Sequence, residues 1–436
     1  MKHGVSVAFH TLGCKVNQQE TAAIEAAFVQ EGFSVVPVET IADVYVINSC
    51  VVTAQAERKS RAIVRRIRSR ASSSLIVLAG CFPQVAGREA LSTGADILAG
   101  SNDKATIIDL VRDSLTRHAK PVMMVSLLGK DTEFERISQG AEPDRKRAFL
   151  KVQDGCEQYC KYCIIPYARG PERSLPVRDV VALAQQLVER DFREIVLTGI
   201  HLGAYGRDLP DTGNLAFLAE EILRLTAVER LRFGSLEPND IDARLITLMQ
   251  QSERICRHLH IPLQSGCDRT LQRMGRRYTS FEYNSLVRLL RRELPLIGIT
   301  TDVIAGFPGE SDGDHEASES FLRDVSPLRT HVFRYSRRTG TPAAEMEAQL
   351  PEAIKAHRAM RLTAIALEST ANNHRAYLGS VLRVLIEGEE EGLLVGHSSE
   401  YVSVSTHGPR GLIRSVVSVL VESATEKGVC GSLVQE

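Results

Sequence analysis

The stretch AFLKVQDGCEQYCKYC, Ala148 to Cys163, joins a short apolar strand pattern to three cysteines. Cys156, Cys160 and Cys163 have the spacing C-x3-C-x2-C. Thiolates are soft ligands that suit iron–sulfur clusters, zinc or copper(I). A structural zinc site needs four ligands, usually from two paired C-x2-C hooks, and no second hook follows here. Three thiolates on a 4Fe-4S cubane leave one iron open for a substrate, and the spacing favours this interpretation over a closed zinc or redox site.

From Arg147 onward the sequence alternates between strand and helix patterns. Six such β/α units predict a partial, barrel-like parallel sheet with its chemistry at the carboxyl ends of the strands. The predicted strands are Ala148–Gln153, Glu194–Gly199, Leu231–Glu237, His258–Gln264, Ile299–Gly306 and His331–Ser336. Helical patterns follow at Val177–Arg190, Leu215–Leu225, Ser280–Glu293 and Pro351–Thr370.

The first 115 residues show a shorter alternation of the same kind. Short, nearly all-apolar strands between helices predict a parallel sheet that is covered on both faces. The predicted strands are Ser6–Leu12, Ala42–Ser49, Ser74–Gly80 and Asp96–Gly100, with helices at Asn17–Gln30 and Thr53–Arg70.

Three further cysteines, Cys14, Cys50 and Cys81, each follow one of these strands. Ligands gather beyond the carboxyl ends of strands in an open parallel sheet. Taken singly, each cysteine fits a small buried hydrophobe. Their equivalent positions instead predict a second site with three thiolates.

The remaining residues complete a division into four segments. Residues 1–115 form the N-terminal α/β domain, 116–146 a polar linker, 147–372 the barrel domain and 373–436 a small all-β module. The last assignment rests on short, β-branched runs that are punctuated by glycine. The fold class is therefore α/β with a C-terminal β-barrel.

Composition narrows the functional classes. The chain has 436 residues, 53 Lys and Arg against 54 Asp and Glu, and nine cysteines. The sequence contains no apolar run of about 18 residues, the length that a membrane span requires. The N-terminus has the pattern of a strand and lacks that of a signal peptide. We therefore expect a cytoplasmic protein without a disulfide framework. A net charge of −1 gives no overall attraction to nucleic acid, so a polyanion must be met by local basic patches.

Two basic segments are candidates for such patches. Arginine suits bidentate phosphate recognition, although a solvated helix face explains the first segment equally well. The predicted RNA-binding residues are Arg58, Lys59, Arg61 and Arg65 in RKSRAIVRRIRSR, and Arg269, Arg273, Arg276 and Arg277 in RTLQRMGRRY.

The motifs together resemble the radical S-adenosylmethionine (SAM) methylthiotransferase family along essentially the whole chain. The tail resembles the TRAM module, an RNA-binding β-barrel. The matching motifs are TLGCKVNQQET (Thr11–Thr21), INSCVVT (Ile47–Thr53), AERKSR (Ala56–Arg61), AGCFPQ (Ala79–Gln84), DGCEQYCKYCIIPYARG (Asp154–Gly170), LTGIHLGAYG (Leu197–Gly206), SLEP (Ser235–Pro238), HIPLQSGCDRTLQRMGRRYT (His260–Thr279), TDVIAGFPGE (Thr301–Glu310) and FRYSRRTGTPAAEM (Phe333–Met346).

The resemblance implies SAM and two 4Fe-4S clusters as cofactors. In this family the cluster on the C-x3-C-x2-C motif binds and reductively cleaves SAM, and the second cluster holds sulfur. The SAM pocket is expected around Tyr162, Gly199, Glu237, Gln264 and Asp302, of which the last three end successive predicted strands. No residue is assigned a catalytic role, and His201 is interpreted as a hydrogen-bonded structural residue.

The resemblance also implies a tRNA substrate. GCKVN around Cys14 resembles the branch that inserts a methylthio group at C2 of N6-threonylcarbamoyladenosine beside the anticodon. The isopentenyladenosine branch typically reads GCQMN, and the branch that acts on an aspartate of ribosomal protein S12 reads GCPKN. Departures from the family pattern at Gln19, Ser49 and Phe82–Pro83 touch no thiol.

The alternatives are an isopentenyladenosine methylthiotransferase, or less favoured an S12 one, and a non-catalytic iron–sulfur sensor that binds RNA. Nothing in the sequence indicates the electron donor or the sulfur source. Cys256, Cys267 and Cys430 have no partner pattern, and burial is expected for them.

Overall fold

The computed structural model describes residues 4–117, 121–137, 146–210 and 213–434. The helices are α1 (Lys15–Gln30), α2 (Ala54–Arg70), α3 (Cys81–Ala86), α4 (Ile107–Arg117), α5 (Ile165–Arg169), α6 (Val177–Glu189), α7 (Leu215–Leu225), α8 (Ala243–Gln251), α9 (Asp268–Met274), α10 (Ser280–Glu293), α11 (Asp312–Val325) and α12 (Glu352–Ala376). The strands are β1 (Ser6–Thr11), β2 (Ser34–Val35), β3 (Val44–Ser49), β4 (Leu75–Gly80), β5 (Ile97–Ala99), β6 (Val122–Met124), β7 (Arg147–Lys151), β8 (Gln153–Asp154), β9 (Arg173–Ser174), β10 (Glu194–Thr198), β11 (Arg230–Phe233), β12 (His258–His260), β13 (Gly298–Ala305), β14 (Arg329–Arg334), β15 (Val381–Glu390), β16 (Leu393–Ser398), β17 (Ser403–Thr406), β18 (Val416–Ala424) and β19 (Val429–Leu433).

The N-terminal sheet is parallel and has the strand order β2-β1-β3-β4-β5-β6. Every residue of β3 is buried, because successive side chains enter the cores on opposite faces. Tyr45 and Ile47 pack toward α2, whereas Val44 and Val46 pack with α1 and α4. The predicted parallel sheet with two covered faces is thereby confirmed.

Strand β6 lies inside the segment predicted as a linker. It pairs with β5 and extends the first sheet beyond residue 115. The linker prediction is wrong for this strand, because a three-residue edge strand with exposed methionines carries almost no periodic signal. Residues 118–120 and 138–145 of the predicted linker lie outside the described residues.

The second unit is the predicted six-stranded partial barrel. Its two three-stranded sheets have the orders β11-β10-β7 and β12-β13-β14, and all strand pairs are parallel. Single bridges, Leu231↔Ile255 and Ser235↔His260, join the two sheets beside β12. Within the described chain no pairing joins β14 to β7, so the barrel is open on that side, and α1 packs against β7.

The C-terminal unit is a closed five-stranded barrel with the order β15-β16-β17-β19-β18. Its core contains Val384, Ile386, Leu394, Val404 and Val419. The predicted small all-β module is therefore confirmed, while α12 crosses the predicted boundary between residues 372 and 373. No helix in the described parts of the chain has the length and apolarity that a membrane span requires.

The small barrel docks against the amino ends of the larger barrel's strands. Arg232 donates hydrogen bonds to the carbonyls of Ser398 and Ser399, both at 3.0 Å, and Arg230 donates to that of His397 at 3.1 Å. The two guanidinium groups share the buried carboxylate of Glu194, at 2.8 and 2.7 Å. The turn after β16 thus closes the floor of the partial barrel.

We expect replacement of Glu194 by Gln to destabilise the protein by about 3–5 kcal/mol, because it leaves two buried arginines without their counter-charge. Urea unfolding followed by circular dichroism measures this change. The matched control is Glu221→Gln, which breaks only the exposed pair with Arg224 and should leave the unfolding midpoint in place. Equal midpoints for the two variants would contradict this account of the docking.

Candidate active site

The first cysteine motif forms a loop between β8 and α5. Gly155 has a φ of +75°, and a Cβ at this position would lie 1.8 Å from the carbonyl oxygen of Pro171. The backbone N–H of Cys156 donates to the carbonyl of Gly170 at 3.0 Å. The loop is therefore pinned on both sides of its first cysteine, and only glycine fits before that cysteine.

The three thiols of this loop lie within electrostatic reach of one another. Burial, together with the neighbouring thiols of Cys160 and Cys156, raises the pKa of Cys163 to about 12. No three His, Cys, Asp or Glu side chains in the described chain are close enough to hold a single metal ion. Three cysteines on one short loop are a ligand set that fits a 4Fe-4S cluster with one open iron.

Arg276 is the principal cation beside this loop. It donates to the sulfur of Cys160 at 3.2 Å, pairs with Glu237 and contacts the hydroxyl groups of Tyr162 and Tyr278. Its side chain is only 4% exposed. The sequence prediction of a phosphate contact is therefore wrong for Arg276, because the residue faces inward at the cysteine loop.

His201 lies between two carboxylates on the other side of the loop. Its Nδ1 is 2.8 Å from Glu172 and its Nε2 is 2.8 Å from Asp240. Burial lowers the pKa of His201, but hydrogen bonds to Asp240, Cys156 and Glu172 outweigh this effect and raise it to about 11. The imidazolium ion is thus held in a fixed orientation, in keeping with a structural role.

Among the other predicted SAM-pocket residues, Gly199, Glu237 and Gln264 follow barrel strands, whereas Asp302 lies within β13, so the expectation that it ends a strand is wrong. A Cβ on Gly199 would lie 2.9 Å from the carboxamide oxygen of Gln153. The backbone at Gly199 therefore passes close to β8, the strand that leads into the cysteine loop. Gln264 has a φ of +65° and donates its N–H to the carbonyl of Asp302. The Asp302 carboxylate lies 3.3 Å from His260. The structure thus links Glu237 to the cysteine loop through Arg276 and places Gln264 beside Asp302.

The second cysteine trio is brought together by three neighbouring strands. Cys14 follows β1, Cys50 follows β3, and Cys81 follows β4 as the first residue of α3. Gly13 has a φ of +116°, and a Cβ there would lie 3.1 Å from the sulfur of Cys50. Electrostatic interactions couple the thiols of Cys14 and Cys50 to that of Cys81. Three thiols with no fourth again fit a cluster with an open iron.

Arg169 links the helix that follows the first cysteine motif to the second cysteine site, and the sequence analysis did not identify it. It ends α5, six residues after the first cysteine motif, and is fully buried. Its Nε donates to the sulfur of Cys81 at 3.2 Å, and one terminal nitrogen donates to Asn17 at 2.7 Å. The only sequence signal was its place in the family motif IIPYARG.

A buried network of charges surrounds Arg169. Glu20 pairs with Lys151 at 2.7 Å and with Lys104 at 3.4 Å, and Lys151 also pairs with Asp154 at 2.7 Å. Burial raises the pKa of Glu20, but Arg169 and the two lysines lower it well below its usual range. These pairs fix α1 of the first sheet against β7 of the barrel.

The predicted RNA-binding residues divide into exposed and engaged groups. Arg58, Lys59 and Arg65 are exposed on α2, and Arg277 is exposed after α9. The other four make contacts within the protein: Arg61 pairs with Glu57 and Glu89, Arg269 pairs with Asp314 although it is exposed, Arg273 donates to the carbonyl of Pro308, and Arg276 faces the cysteine loop.

The three remaining cysteines differ in burial. Cys256 is fully buried, as expected, with its sulfur 3.8 Å from Glu194. Cys267 and Cys430 are partly exposed, so the expectation of burial is wrong for them. Cys267 lies at the start of α9, with its sulfur 3.3 Å from Asp314.

Family models match the N-terminal α/β domain and the barrel domain. Residues 150–322 match the radical SAM superfamily, and residues 6–100 match the uncharacterized protein family UPF0004. The solved radical SAM methyltransferase TsrM from Kitasatospora setae, with cobalamin and a [4Fe-4S] cluster bound, has a TM-score of 0.56 at 14% identity. The match covers 90% of this chain and 81% of that one, and it shows the fold. Fold and cysteine loop together define a radical SAM protein.

Relatives of known name specify the family. The threonylcarbamoyladenosine tRNA methylthiotransferase MtaB of Bacillus subtilis is 39% identical over 96% of this chain and 94% of its own length. The protein of the same name from Aquifex aeolicus is 34% identical over 96% and 100%. The tRNA-2-methylthio-N(6)-dimethylallyladenosine synthase of Natranaerobius thermophilus is 31% identical over 98% and 96%. The chain belongs to the radical SAM methylthiotransferase family, whose chemistry uses SAM and a 4Fe-4S cluster.

We expect Gly155→Ala to abolish reductant-dependent cleavage of SAM, because its Cβ would push the cysteine loop away from Pro171. Formation of 5′-deoxyadenosine in the anaerobically reconstituted protein measures this. Gly32→Ala is the matched control, since Gly32 also has a positive φ but has no atom within 4 Å of its Cβ position. Unchanged cleavage in Gly155→Ala would show that the geometry of this loop does not matter to the reaction.

Proposed function

We propose that the protein inserts a methylthio group at C2 of N6-threonylcarbamoyladenosine beside the anticodon of tRNA. The observation that carries this proposal is a second three-cysteine site packed against the segment that follows the first motif: Arg169, which ends the helix after that motif, donates to Cys81 of the second trio. A single radical SAM cluster would account for only one of these sites. The relatives named for threonylcarbamoyladenosine are 34–39% identical to this chain, against 30–31% for those named for dimethylallyladenosine.

In this proposal each cysteine trio holds one 4Fe-4S cluster. Cys156, Cys160 and Cys163 hold the first, and Cys14, Cys50 and Cys81 hold the second. When bound, the first would supply reductive cleavage of SAM and the second would carry the sulfur for transfer. The protein orients the two sites and excludes water from the space between them.

The SAM pocket is proposed at the rim of the barrel beside the first cysteine loop. Tyr162 packs edge-on against Phe307 at 6.5 Å and closes one side of this region. Close packing of Gly199 against Gln153 keeps the backbone near the cysteine loop, where it can receive the amino group of SAM. Glu237, Gln264 and Asp302 supply polar groups for the ribose and amino moieties.

For tRNA, we propose the exposed basic residues of the two segments as phosphate contacts. These are Arg58, Lys59 and Arg65 on α2, together with Arg277, while Arg61, Arg269 and Arg273 can contribute after exchanging their present partners. The C-terminal β-barrel would add affinity through backbone and base contacts. A tRNA substrate also places the reaction in the cytoplasm.

The decisive test is mass spectrometry of tRNA nucleosides from a strain that lacks the gene. We expect loss of 2-methylthio-N6-threonylcarbamoyladenosine, with its unmethylthiolated precursor accumulating. Loss of the isopentenyl analogue instead, or an unchanged nucleoside profile, would contradict the proposed substrate. Reductant-dependent formation of 5′-deoxyadenosine by the purified protein separates the enzyme from a non-catalytic sensor.

We expect simultaneous replacement of Cys14, Cys50 and Cys81 by Ala to remove about half of the reconstituted iron, because one of two clusters loses its ligands. SAM cleavage should remain, since the first loop is intact. Iron analysis and 5′-deoxyadenosine formation measure the two effects. The control replaces Cys267 and Cys430, which lie outside both sites, and should retain all iron. Full iron content in the triple variant would exclude the second cluster.

A further inference from the structure

The last strand of the partial barrel, β14, has one covered face and one open face. Val332 packs into the core that the barrel shares with α12, so the neighbouring His331 and Phe333 face the barrel interior. Both of these side chains keep access to solvent, and Phe333 is 48% exposed. A large aromatic ring that is half exposed on an inner face borders unfilled space, as in the lining of a ligand pocket.

The neighbouring strands add polar side chains to the same inner face. Asp302 of β13 is the register partner of His331, and the centroid of the His260 ring on β12 lies 6.2 Å from that of His331. His260 lies 2.9 Å from the Thr300 hydroxyl through Nδ1 and 3.3 Å from the Asp302 carboxylate through Nε2. The interior beside His331, toward the floor of the barrel, is therefore polar.

His331 is the member of this polar group that has no hydrogen-bonding partner. Among the residues that the structure describes, neither of its ring nitrogens forms a hydrogen bond or an ion pair, whereas the His260 ring is paired with both Thr300 and Asp302. Partial burial lowers the pKa of His331, so its ring is neutral at about pH 7. A neutral imidazole offers one donor and one acceptor to a guest.

A row of aromatic rings links the carboxyl end of β14 to the first cysteine loop. Tyr162 of that loop packs edge-on against Phe307, with 6.5 Å between the ring centroids. Phe307 packs in the same way against Tyr335, the residue that follows β14, at 5.4 Å. The strand end that carries Phe333 therefore lies beside the first cysteine site.

Two polar contacts link the same strand end to the second cysteine site. The backbone N–H of Ala54 donates to the Ser336 hydroxyl at 3.1 Å, and Ala54 follows Cys50 by four residues. Arg338 pairs with Glu57 of α2 at 2.9 Å. The end of β14 is thus fixed to one segment of each cysteine site.

We propose that this inner face of β14 binds the substrate adenosine, with Phe333 stacked on the adenine ring and His331 hydrogen-bonded to the N6 substituent. The inference rests on the proposed function and names the residues that recognise its substrate. Aromatic side chains bind unpaired bases by stacking on them. The reacting atom C2 must lie at the rim, near the cysteine sites, and the N6 substituent begins on the other side of N1 and extends away from C2. His331 lies two residues further from the rim than Phe333, about 6.6 Å along the strand, which matches the direction of that substituent.

The polar surroundings of His331 suit one of the two candidate substituents. The threonylcarbamoyl group carries carbonyl, hydroxyl and carboxylate oxygens, which can accept a hydrogen bond from the imidazole N–H. The isopentenyl group has no hydrogen-bonding atom and would cover the imidazole without replacing its bonds to water, which is unfavourable. Phe333 therefore binds the part that both substrates share, and His331 distinguishes between them.

The test compares the dissociation constants for two anticodon stem-loops, one carrying N6-threonylcarbamoyladenosine and the other isopentenyladenosine. The reconstituted holoenzyme is used without reductant, so that no turnover occurs. We expect the wild-type protein to bind the threonylcarbamoyl stem-loop more tightly by about threefold to tenfold, the contribution of one hydrogen bond. His331→Leu should lose this preference, and His331→Gln, which keeps a donor and an acceptor, should retain most of it.

Phe333→Leu should weaken binding of both stem-loops by about tenfold to a hundredfold, the contribution of one stacked base, and leave their ratio unchanged. Phe333→Tyr keeps the ring and should restore the affinity. The matched controls are Phe281→Leu and His357→Leu, which remove exposed rings from α10 and α12 and should leave both dissociation constants unchanged. Iron content and 5′-deoxyadenosine formation show whether each variant assembles its SAM site.

Equal affinity of the wild-type protein for the two stem-loops would overturn the role of His331 however the variants fold, as would an unchanged ratio in His331→Leu. Unchanged affinity in Phe333→Leu would overturn the stacking. Loss of SAM cleavage in Phe333→Leu, with stem-loop binding intact, would assign this ring to SAM instead. Failure of the proposed function gives a different result, because the wild-type protein would then form 5′-deoxyadenosine with reductant but would not methylthiolate a tRNA that carries the threonylcarbamoyl group.

Discussion

The buried guanidinium of Arg169 is the interaction on which the arrangement of the molecule depends. It belongs to the barrel domain, yet it donates to Cys81 and Asn17 of the first domain and pairs with Glu20. Removing one member of a buried ionic network leaves an uncompensated buried charge, which costs several kcal/mol. The network therefore fixes one relative position of the two domains, in which the helix that begins with Cys81 packs against the helix that follows the first cysteine motif.

The two ends of the barrel have separate tasks. At the carboxyl ends of the strands, the loops carry cysteines, polar side chains and glycines whose neighbours leave no room for a Cβ. This combination suits the binding of a cofactor. At the amino ends, Arg230 and Arg232 bind the turn of the C-terminal module and seal the floor. The C-terminal barrel is thus attached through residues remote from the cysteine loop, so the residues that dock this barrel differ from those that serve the chemistry.

Much of this fold could be predicted because its determinants are local. Apolar runs in regular alternation with helices predict the strands of both domains, and a thiol at three equivalent strand ends indicates a shared site. The short edge strand β6 was missed, because three residues with two exposed methionines carry no distinctive period.

The charged residues were harder to place, since their partners lie far away in the sequence. Arg276 appeared basic and surface-like within RTLQRMGRRY, but folding buries it against Cys160, 116 residues earlier. Arg169 meets Glu20 across 149 residues, and Arg232 meets the carbonyl of Ser399 across 167 residues. Sequence pattern indicates which residue types are present, whereas only the tertiary structure determines which charges meet.

The central claim is that each cysteine trio holds one iron–sulfur centre. Anomalous diffraction at the iron edge, from crystals of the anaerobically reconstituted protein, tests it most directly. The account predicts two iron peaks, one beside Cys156, Cys160 and Cys163 and the other beside Cys14, Cys50 and Cys81. A single iron peak, or a zinc signal at either trio, would contradict it.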